Sequence, residues 1–520
     1  MNDLQQKLFA LSLANKSALI ITFAKLEEQK ESIMENNVDI RTLQPLALWK
    51  NFYQICQIPH PSGYLSKISE FIVDFAKQNN LKFDIDKVGN ILIKKSATKG
   101  REDAPIVVLQ SHLDMVPQKN ADVNHDFEKD PLTLIVEKDN WLKALKTTLG
   151  ADNGIGVAAI LAILESNDIA HGPIEALFTV DEEVGMVGAK GLAENFFDGN
   201  ILLNMDSEEE GELFVGCAGG VDANITFKYN EVAVPNGDIA LEIKLSGLRG
   251  GHSGIEINCG RANAAKLIFR FLKEAIMLYE ARLSSIECGN MRNAIPREAT
   301  AVVTIPAEGF DEVSNLVQEY EELFNEEYKS VENKISFTLK EVDLPQGLIP
   351  EEIQDDLVNA ITACPNGVLR FIPEMPNTVE TSNNLSIVKS DGENVFVASL
   401  IRSSMESKKE ELASMVESLF LLAGAKVEFS GNYPGWTPDM KSEIMAIMSD
   451  VYTQKFGRKP EIKVIHAGLE CGIIGAKKGD LDMISFGPTI LHPHSPDEKV
   501  NILSVQRFWE FLTTTLENVK

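Results

Sequence analysis

The sequence predicts a mixed α/β protein in which an α+β segment interrupts an α/β domain. Its 520 residues are too many for one ordinary hydrophobic core, so more than one domain is expected. Short apolar strands followed by helices occur near both ends of the chain, which is typical of α/β domains. From about Val221 the pattern changes to alternating strands with helices, which favours an inserted α+β segment.

These patterns divide the chain into four parts. We predict an N-terminal helical extension over residues 1–40 and an α/β domain built from residues 41–219 and 433–520. The inserted α+β domain is predicted over residues 220–432.

Charge and cysteine content narrow the classes of function. The 49 Lys and Arg against 77 Asp and Glu give a net charge of −28, which argues against binding to nucleic acid or to an anionic membrane. The six cysteines form no CxxC pair, so neither a disulfide framework nor a zinc ribbon is indicated. No apolar run is long enough to cross a bilayer, and the N-terminus lacks a signal-peptide layout. We therefore expect a cytoplasmic protein with reduced thiols.

The first elements lead to side chains that can bind metal. Residues 46–80 predict two helices around a loop, and residues 83–94 predict a hairpin with a Gly-Asn turn. A short apolar strand at residues 106–109 then runs into His112 and Asp114.

A glycine-rich segment, residues 147–156, runs into an apolar helix. A phosphate-binding loop is one interpretation of the glycines. However, the Lys-Ser/Thr pair that such a loop needs is absent, and Asp152 stands where phosphate would bind.

Two further apolar strands are followed by acids. The strand at residues 174–180 precedes Asp181, Glu182 and Glu183, and the strand at residues 201–204 precedes Asp206. An isolated acidic cluster of this kind is most often a solvated turn, but adjacent carboxylates repel each other and a metal ion would relieve that repulsion.

The inserted segment carries several polar motifs, and the chain then returns to strand-helix alternation. Residues 239–245 alternate as a strand and lead to a Gly-Gly-His-Ser-Gly loop that contains His252. After residue 433, strands at residues 462–465 and 483–486 precede His466 and His494, respectively.

Together these strands predict a metal site. The carboxyl ends of parallel strands meet at one edge of an α/β sheet, and four apolar strands here lead to histidine or carboxylate side chains. Imidazole and carboxylate donors without thiolate suit Zn²⁺, Mn²⁺ or Co²⁺. Two such ions would share a bridging carboxylate and activate a water molecule, and Asp152 is our choice for the bridge. Of the adjacent glutamates, one can bind metal while the other acts as general base.

The motifs resemble those of the aminoacyl-histidine dipeptidases, within the zinc peptidase superfamily that includes carnosinases, aminoacylases and glutamate carboxypeptidases. The resemblance runs from about Leu46 to the C-terminus and rests on five strings: VLQSHLDMVPQKN, TTLGADNGIG, NAIPREA, HAGLECG and HSPDE. It implies an α/β/α catalytic domain like that of the zinc peptidases, with the inserted α+β domain serving as a lid and dimerisation domain. Residues 1–40 look like an addition that the family usually lacks.

The resemblance also implies a role for each residue of the site. It assigns His112 and Asp206 to one ion, Glu183 and His494 to the second, and Asp152 to both. Glu182 would be the general base, and Asp114 would orient the His112 ring. A cis peptide bond is expected between Asp152 and Asn153. His492 is a rival to His494, whereas Asp181 receives no role.

In the inserted domain the resemblance implies contacts with substrate. It makes His252 the residue that stabilises the oxyanion. Asn293, Arg297 and Arg402 would hold the backbone and the free carboxylate of the substrate, since an arginine fork suits a carboxylate. His466 and Glu470 would line the pocket. A homodimer formed through the lid domain is implied as well.

The expected function is hydrolysis of unblocked dipeptides by two divalent metal ions, with Zn²⁺ the preferred choice and Mn²⁺ or Co²⁺ as options. Xaa-His dipeptides, including the β-alanyl-histidine type, are the expected substrates, and Glu182 would activate a water molecule that bridges the ions. One alternative is an N-acyl amino acid deacylase that uses the same site. A second is a peptide-binding protein without catalytic activity.

Overall fold

The computed structural model describes residues 38–520, and this part of the chain forms two compact units. The first unit contains residues 38–213, Lys441–Glu461 and Asp480–Lys520. The second contains Phe214–Met440 and Ile462–Gly479. The predicted N-terminal extension lies outside the described residues, apart from residues 38–40. The predicted domain boundaries stay a prediction.

The α-helices of residues 38–520 vary in length from one turn to five turns. In chain order they are α1 (Leu46–Cys56), α2 (Ser66–Gln78), α3 (Ala151–Glu165), α4 (Val187–Gly191), α5 (Ala264–Tyr279), α6 (Phe310–Glu327), α7 (Glu351–Ala363), α8 (Glu406–Leu422), α9 (Glu443–Phe456), α10 (Glu470–Lys478) and α11 (Ile502–Asn518). Short 3₁₀ turns cover Ile40–Thr42 and Ala307–Gly309.

The strands are most numerous in the inserted part of the sequence. In chain order they are β1 (Lys82–Ile85), β2 (Ile91–Lys95), β3 (Val107–His112), β4 (Leu134–Glu137), β5 (Trp141–Ala144), β6 (Ile174–Thr179), β7 (Ile201–Asn204), β8 (Glu212–Cys217), β9 (Gly219–Lys228), β10 (Asp238–Ser246), β11 (Gly251–His252), β12 (Arg282–Cys288), β13 (Ala294–Ile295), β14 (Ala299–Pro306), β15 (Ser336–Val342), β16 (Gly367–Ile372), β17 (Met375–Ser390), β18 (Asn394–Ser403), β19 (Lys426–Tyr433), β20 (Glu461–Ile465), β21 (Asp482–Ser485), β22 (Ile490–Leu491) and β23 (Lys499–Asn501).

The first unit is organised around a sheet whose central strands are parallel. The strand order is β1-β2-β6-β3-β7-β21, and β6, β3, β7 and β21 all run in the same direction. Every residue of β3 and β6 is buried, as expected for parallel strands covered on both faces. The carboxyl ends of four strands from distant parts of the sequence therefore meet at one edge.

Helix α3 is apolar on all sides because it is buried within the first unit. From Asn153 to Leu164 every residue of the helix is buried. A Cβ at Gly156 would collide with the side chains of Asn153 and Ser111, so only glycine fits at this position. The close packing fixes the start of α3 beside the end of β3.

The second unit is an α+β structure built on an antiparallel sheet. Its strand order is β15-β10-β14-β12-β17-β18-β9-β19, with β16 paired to β17. Buried aromatic residues, including Phe227, Phe271 and Phe337, belong to the hydrophobic core of this unit. The short strands β11 and β13 pair separately, with His252 opposite Ala294.

The structure confirms the predicted mixed α/β class, with differences in detail. Strand β17 has 16 residues, whereas the sequence predicted a short strand near residues 384–388. Its middle part, residues 380–384, is polar, yet it is buried because its side chains find partners, as when Ser399 Oγ donates to Asn383 Oδ1 at 2.6 Å. Among residues 38–520, no helix has both the length and the apolar character needed to cross a membrane.

Candidate metal centre

The parallel sheet brings the sequence-predicted metal ligands of the first unit to one edge. His112 is the last residue of β3, Glu182 and Glu183 follow β6, and Asp206 follows β7. His494 lies in the loop between β22 and β23. Strands β3 and β6 are buried throughout, and β7 is buried from Leu202 onward, so the side chains that follow these three strands are held by rigid elements.

Asp152 lies between the two histidines, at the start of α3. Its Oδ1 atom lies 3.1 Å from Nε2 of His112, and its Oδ2 atom lies 3.3 Å from Nε2 of His494. The peptide bond between Asp152 and Asn153 is cis, which confirms the expectation. The two oxygens of one carboxylate thus point toward two different imidazoles.

The donor atoms of residues 38–520 form three groups, two of which share Asp152. In the first, His112, Asp152 and Asp206 offer atoms that all lie within 4.8 Å of one another. In the second, Asp152, Glu183 and His494 do the same. Direct distances are 3.2 Å between His112 Nε2 and Asp206 Oδ1, and 2.9 Å between His494 Nε2 and Glu183 Oε1.

The electrostatics of this cluster favour a bound cation. Burial and the neighbouring carboxylates raise the pKa of Asp206 to about 8, although His112 opposes the shift. Burial alone would lower the pKa of His112, but Asp206, Asp114 and Asp152 outweigh it and raise that pKa well above its usual range. Three carboxylates and two imidazoles without thiolate are a donor set that suits Zn²⁺, Mn²⁺ or Co²⁺. The residues present therefore fit a pair of divalent ions.

Asp114 is buried behind His112 and makes several contacts. Its Oδ1 atom lies 3.5 Å from Nδ1 of the His112 ring. It accepts backbone hydrogen bonds from Glu182 at 2.9 Å and Glu183 at 3.2 Å, and a hydroxyl hydrogen bond from Ser62 at 2.8 Å. These donors and His112 lower the pKa of Asp114 to about 2 against the effect of burial. The carboxylate thus connects the His112 ring to the turn that carries both glutamates.

Asp181 also has a structural contact, which the sequence did not predict. Its Oδ1 atom accepts a hydrogen bond from the backbone N–H of Gly63 at 2.6 Å. Its backbone has a φ of 50°, in the left-handed region that aspartate tolerates better than most residues. Asp181 therefore connects the loop after α1 to the turn after β6.

Three polar residues near the cluster were missed by the sequence analysis. Asn153 Nδ2 donates to Asp206 Oδ1 at 2.6 Å. Glu208 is half-buried, and burial together with Asp152 and Asp206 raises its pKa to about 8. Glu498 is buried, and four backbone N–H groups at the start of α3 donate to its carboxylate. Glu498 stands in the HSPDE string, where it could have been noticed as an acid at the end of a predicted loop.

The remaining predicted residues belong to the second unit. Nδ1 of His252 accepts hydrogen bonds from the backbone N–H groups of Gly254 at 3.1 Å and Ile255 at 3.2 Å. These donors place the ring proton on Nε2, and burial together with Arg402 lowers the pKa of His252, so the ring is neutral. Pairing of β11 with β13 brings His252 close to the segment that contains Asn293.

Arg402 and His466 are buried in the second unit. Arg402 Nη1 donates to the Tyr433 hydroxyl at 2.8 Å, and its Nε has no hydrogen-bond partner among residues 38–520. His466 Nε2 lies 2.7 Å from Ser382 Oγ. Burial and the charge of Arg402 lower the pKa of His466 to about 3, so its ring is neutral.

The other three predicted substrate contacts differ in exposure. Asn293 is exposed. The side chain of Arg297 is 67% exposed and lines a cavity of about 670 Å³ in the second unit. Glu470 is fully buried at the first position of α10. The structure thus places His252 next to the segment 293–297. Arg402 and His466 are both buried.

Comparison with known sequences gives matches over nearly the whole chain. The model of peptidase family M20/M25/M40 matches residues 108–518. The cytosol non-specific dipeptidase of Escherichia coli strain K12 is 44% identical over 481 residues, which are 92% of this chain and 99% of that protein. This similarity therefore includes every strand end that contributes to the cluster.

Comparison with solved structures also gives matches over nearly the whole chain. The crystal structure of aminoacylhistidine dipeptidase from Vibrio alginolyticus is 47% identical and superposes with a TM-score of 0.89, covering 93% of this chain and 99% of that one. A tripeptidase from Staphylococcus aureus shares the fold with a TM-score of 0.53 at 15% identity, over 92% of this chain and 99% of that one.

Proposed function

Because the chain belongs to peptidase family M20/M25/M40, we propose that it is a metal-dependent dipeptidase. The proposed substrates are unblocked dipeptides, with Xaa-His preferred and the β-alanyl-histidine type included. The names of the Escherichia coli and Vibrio alginolyticus proteins support this substrate class. The observation that carries the proposal is that the two oxygens of Asp152 face two separate histidine-carboxylate groups.

The proposed cofactor is a pair of divalent ions, with Zn²⁺ preferred over Mn²⁺ and Co²⁺ because of the two imidazoles. His112 and Asp206 would hold one ion, Glu183 and His494 the other, and Asp152 both. When bound, such a pair polarises a carbonyl group and lowers the pKa of a water molecule. The buried carboxylates of the cluster support the proposal, since cations would offset their mutual repulsion.

Glu182 is proposed as the general base. It follows β6 beside Glu183, and one carboxylate oxygen from each glutamate and a ring nitrogen of His112 all lie within 4.8 Å of one another. In the proposed reaction Glu182 takes a proton from the attacking water and later delivers it to the leaving amine. Asp114 supports this role because it accepts the backbone N–H of Glu182 and so fixes the turn.

Residues of the second unit are proposed to bind the substrate. A neutral His252 with its proton on Nε2 can donate a hydrogen bond to a developing oxyanion. Arg402 has an Nε without a partner among residues 38–520, as expected for a side chain that receives a carboxylate. Asn293, Arg297, His466 and Glu470 are retained as further substrate contacts.

The proposal extends to location and assembly. We expect a cytoplasmic enzyme, in line with the word cytosol in the name of the Escherichia coli relative. We also expect a homodimer formed through the inserted domain. Size-exclusion chromatography with light scattering would test the dimer, since a monomer at micromolar concentration would contradict it.

The activity test compares two classes of substrate after reconstitution with Zn²⁺, Mn²⁺ or Co²⁺. We expect hydrolysis of Ala-His and β-Ala-His and no hydrolysis of acetyl-amino acids. The Glu182→Ala variant is expected to lose at least about 100-fold in kcat, because general base catalysis contributes about 10²–10⁴-fold. Preference for acetyl-amino acids would indicate a deacylase instead. Hydrolysis that persists at the wild-type rate in Glu182→Ala would contradict the assigned base.

A further inference from the structure

Glu498 is a buried carboxylate to which the mechanism above gives no task. Only 1% of its surface is exposed, and it lies four residues after His494. A buried carboxylate is costly unless it is paired or accepts several hydrogen bonds. Its partners therefore indicate why it is buried.

All of these partners belong to the segment that leads to Asp152. Oε2 of Glu498 accepts the backbone N–H of Leu149 at 2.7 Å and of Gly150 at 3.0 Å. Oε1 accepts the backbone N–H of Ala151 at 2.8 Å and of Asp152 at 3.4 Å. Four successive N–H groups thus surround one carboxylate.

This arrangement accounts for Gly150 within the glycine-rich sequence at residues 147–156. Such loops bind anions through successive backbone N–H groups at the start of a helix. Here the anion is a side chain of the same chain, and the segment lacks the Lys-Ser/Thr pair of a phosphate loop. Gly150 has a φ of 65°, a conformation that glycine adopts without strain and that turns the N–H groups toward Glu498.

Glu498 and His494 belong to one compact turn. The N–H of Glu498 donates to the carbonyl of Ser495 at 3.0 Å. The hydroxyl of Ser495 donates to the carbonyl of His492 at 2.9 Å, and it accepts the N–H of Asp497 at 3.2 Å. Because these bonds hold the turn together, a shift of Glu498 also shifts His494.

We propose that Glu498 is a positioning residue that sets the distance between Asp152 and His494 through the four N–H groups of residues 149–152. It contacts neither substrate nor metal. Instead it holds the backbone of the shared carboxylate against the turn that carries the second histidine. This inference rests on the proposed metal-dependent function.

The test measures metal affinity directly, on the full chain freed of metal. Zn²⁺ is titrated against a chromophoric chelator, and the visible spectrum of the Co²⁺ form reports ligand geometry. In Glu498→Gln one oxygen becomes an NH₂ group, which cannot accept two of the four N–H groups. We expect the affinity for one of the two Zn²⁺ ions to fall about 10- to 100-fold, the range measured when residues that hydrogen-bond to metal ligands are removed.

Asp497→Asn is the matched control, because it removes one charge from the same turn at an exposed side chain. It should bind two Zn²⁺ with wild-type affinity and give the wild-type Co²⁺ spectrum. Wild-type affinity and spectrum in Glu498→Gln would overturn the inference while leaving the proposed function intact. A wild-type protein that binds neither ion would overturn the metal-dependent function and the inference together.

A second measurement needs no variant, so it decides the question if Glu498→Gln does not fold. In the metal-free wild-type protein, hydrogen exchange of a peptide that covers residues 149–152 should be slow, because Glu498 accepts these four N–H groups without metal. Exchange as fast as in an exposed loop would overturn the inference.

Discussion

Oδ1 of Asp114 lies 2.9 Å from the backbone nitrogen of Glu182 and 3.5 Å from Nδ1 of His112, so one buried carboxylate contacts both the His112 ring and the turn that carries the proposed base. The same carboxylate also accepts the N–H of Glu183 and the hydroxyl of Ser62. It is therefore saturated with donors and has little capacity to bind an ion itself. Its effect on activity must pass through the residues it holds.

We expect Asp114→Asn to reduce kcat/KM for Ala-His by about 10- to 100-fold, the range found for partners of metal ligands. The amide offers only one acceptor oxygen, so at least one N–H of the glutamate turn loses its partner. Asp84→Asn, at an exposed position in β1, is the control and should keep wild-type activity. Equal activity of the two variants would show that Asp114 is not needed for positioning.

Asp181 should matter for stability more than for chemistry. Asp181→Ala removes the hydrogen bond to Gly63 and places alanine at a φ of 50°, which together should cost about 2 kcal/mol. Asp181→Asn keeps an acceptor oxygen and tolerates this backbone, so its melting temperature should lie between those of the wild type and Asp181→Ala. The reverse order of the two variants would contradict the assigned contact.

The neutral His466 should make the metal-free protein less stable in mild acid. The pKa of His466 is about 3 when folded and about 6.5 when unfolded, so the unfolded chain binds more protons between these values. The contribution of His466 to the free energy of unfolding is therefore fully present above pH 6.5. It decreases as the pH falls, by about 2 kcal/mol at pH 5. His466→Gln should reduce the difference in melting temperature between pH 7 and pH 5. An unchanged difference would mean that His466 titrates normally in the folded protein.

The cysteines should differ sharply in reactivity. Cys259 is exposed, whereas the other five are buried, and burial raises the pKa of Cys217 to about 11 and that of Cys364 to about 12. A disulfide reagent at pH 8 should therefore modify one thiol per native chain and six after denaturation. The native Cys259→Ser variant should show no thiol modified by the reagent. Rapid labelling of further thiols would contradict the burial of the other five.

The ligands of the proposed metal site could be predicted because they follow buried strands. Apolar runs identify β3, β6 and β7, and parallel pairing places their ends at one edge. His112, Asp206 and the adjacent pair Glu182 and Glu183 were singled out in this way, without knowledge of any distance. The resemblance to known peptidases then separated the roles of Glu182 and Glu183, which local sequence could not.

Contacts between distant segments could not be predicted in the same way. The bonds from residues 149–152 to Glu498 join positions more than 340 residues apart, and no periodic pattern encodes them. The contact of Asp181 with Gly63 also joins residues that are distant in the sequence. Strand β17 was underestimated because its buried polar side chains lack the apolar alternation by which strands are recognised.

The position of β21 beside β7 has a consequence for biosynthesis. Residues that follow β21 supply the proposed ligand His494 and its neighbour Glu498, whereas the other proposed metal ligands precede residue 207. While the ribosome is still adding the inserted segment, a nascent chain can offer His112, Asp152 and Asp206 but not the second group of donors. The complete pair of metal groups can form only after nearly the whole polypeptide has been made, so an interrupted chain is expected to lack peptidase activity.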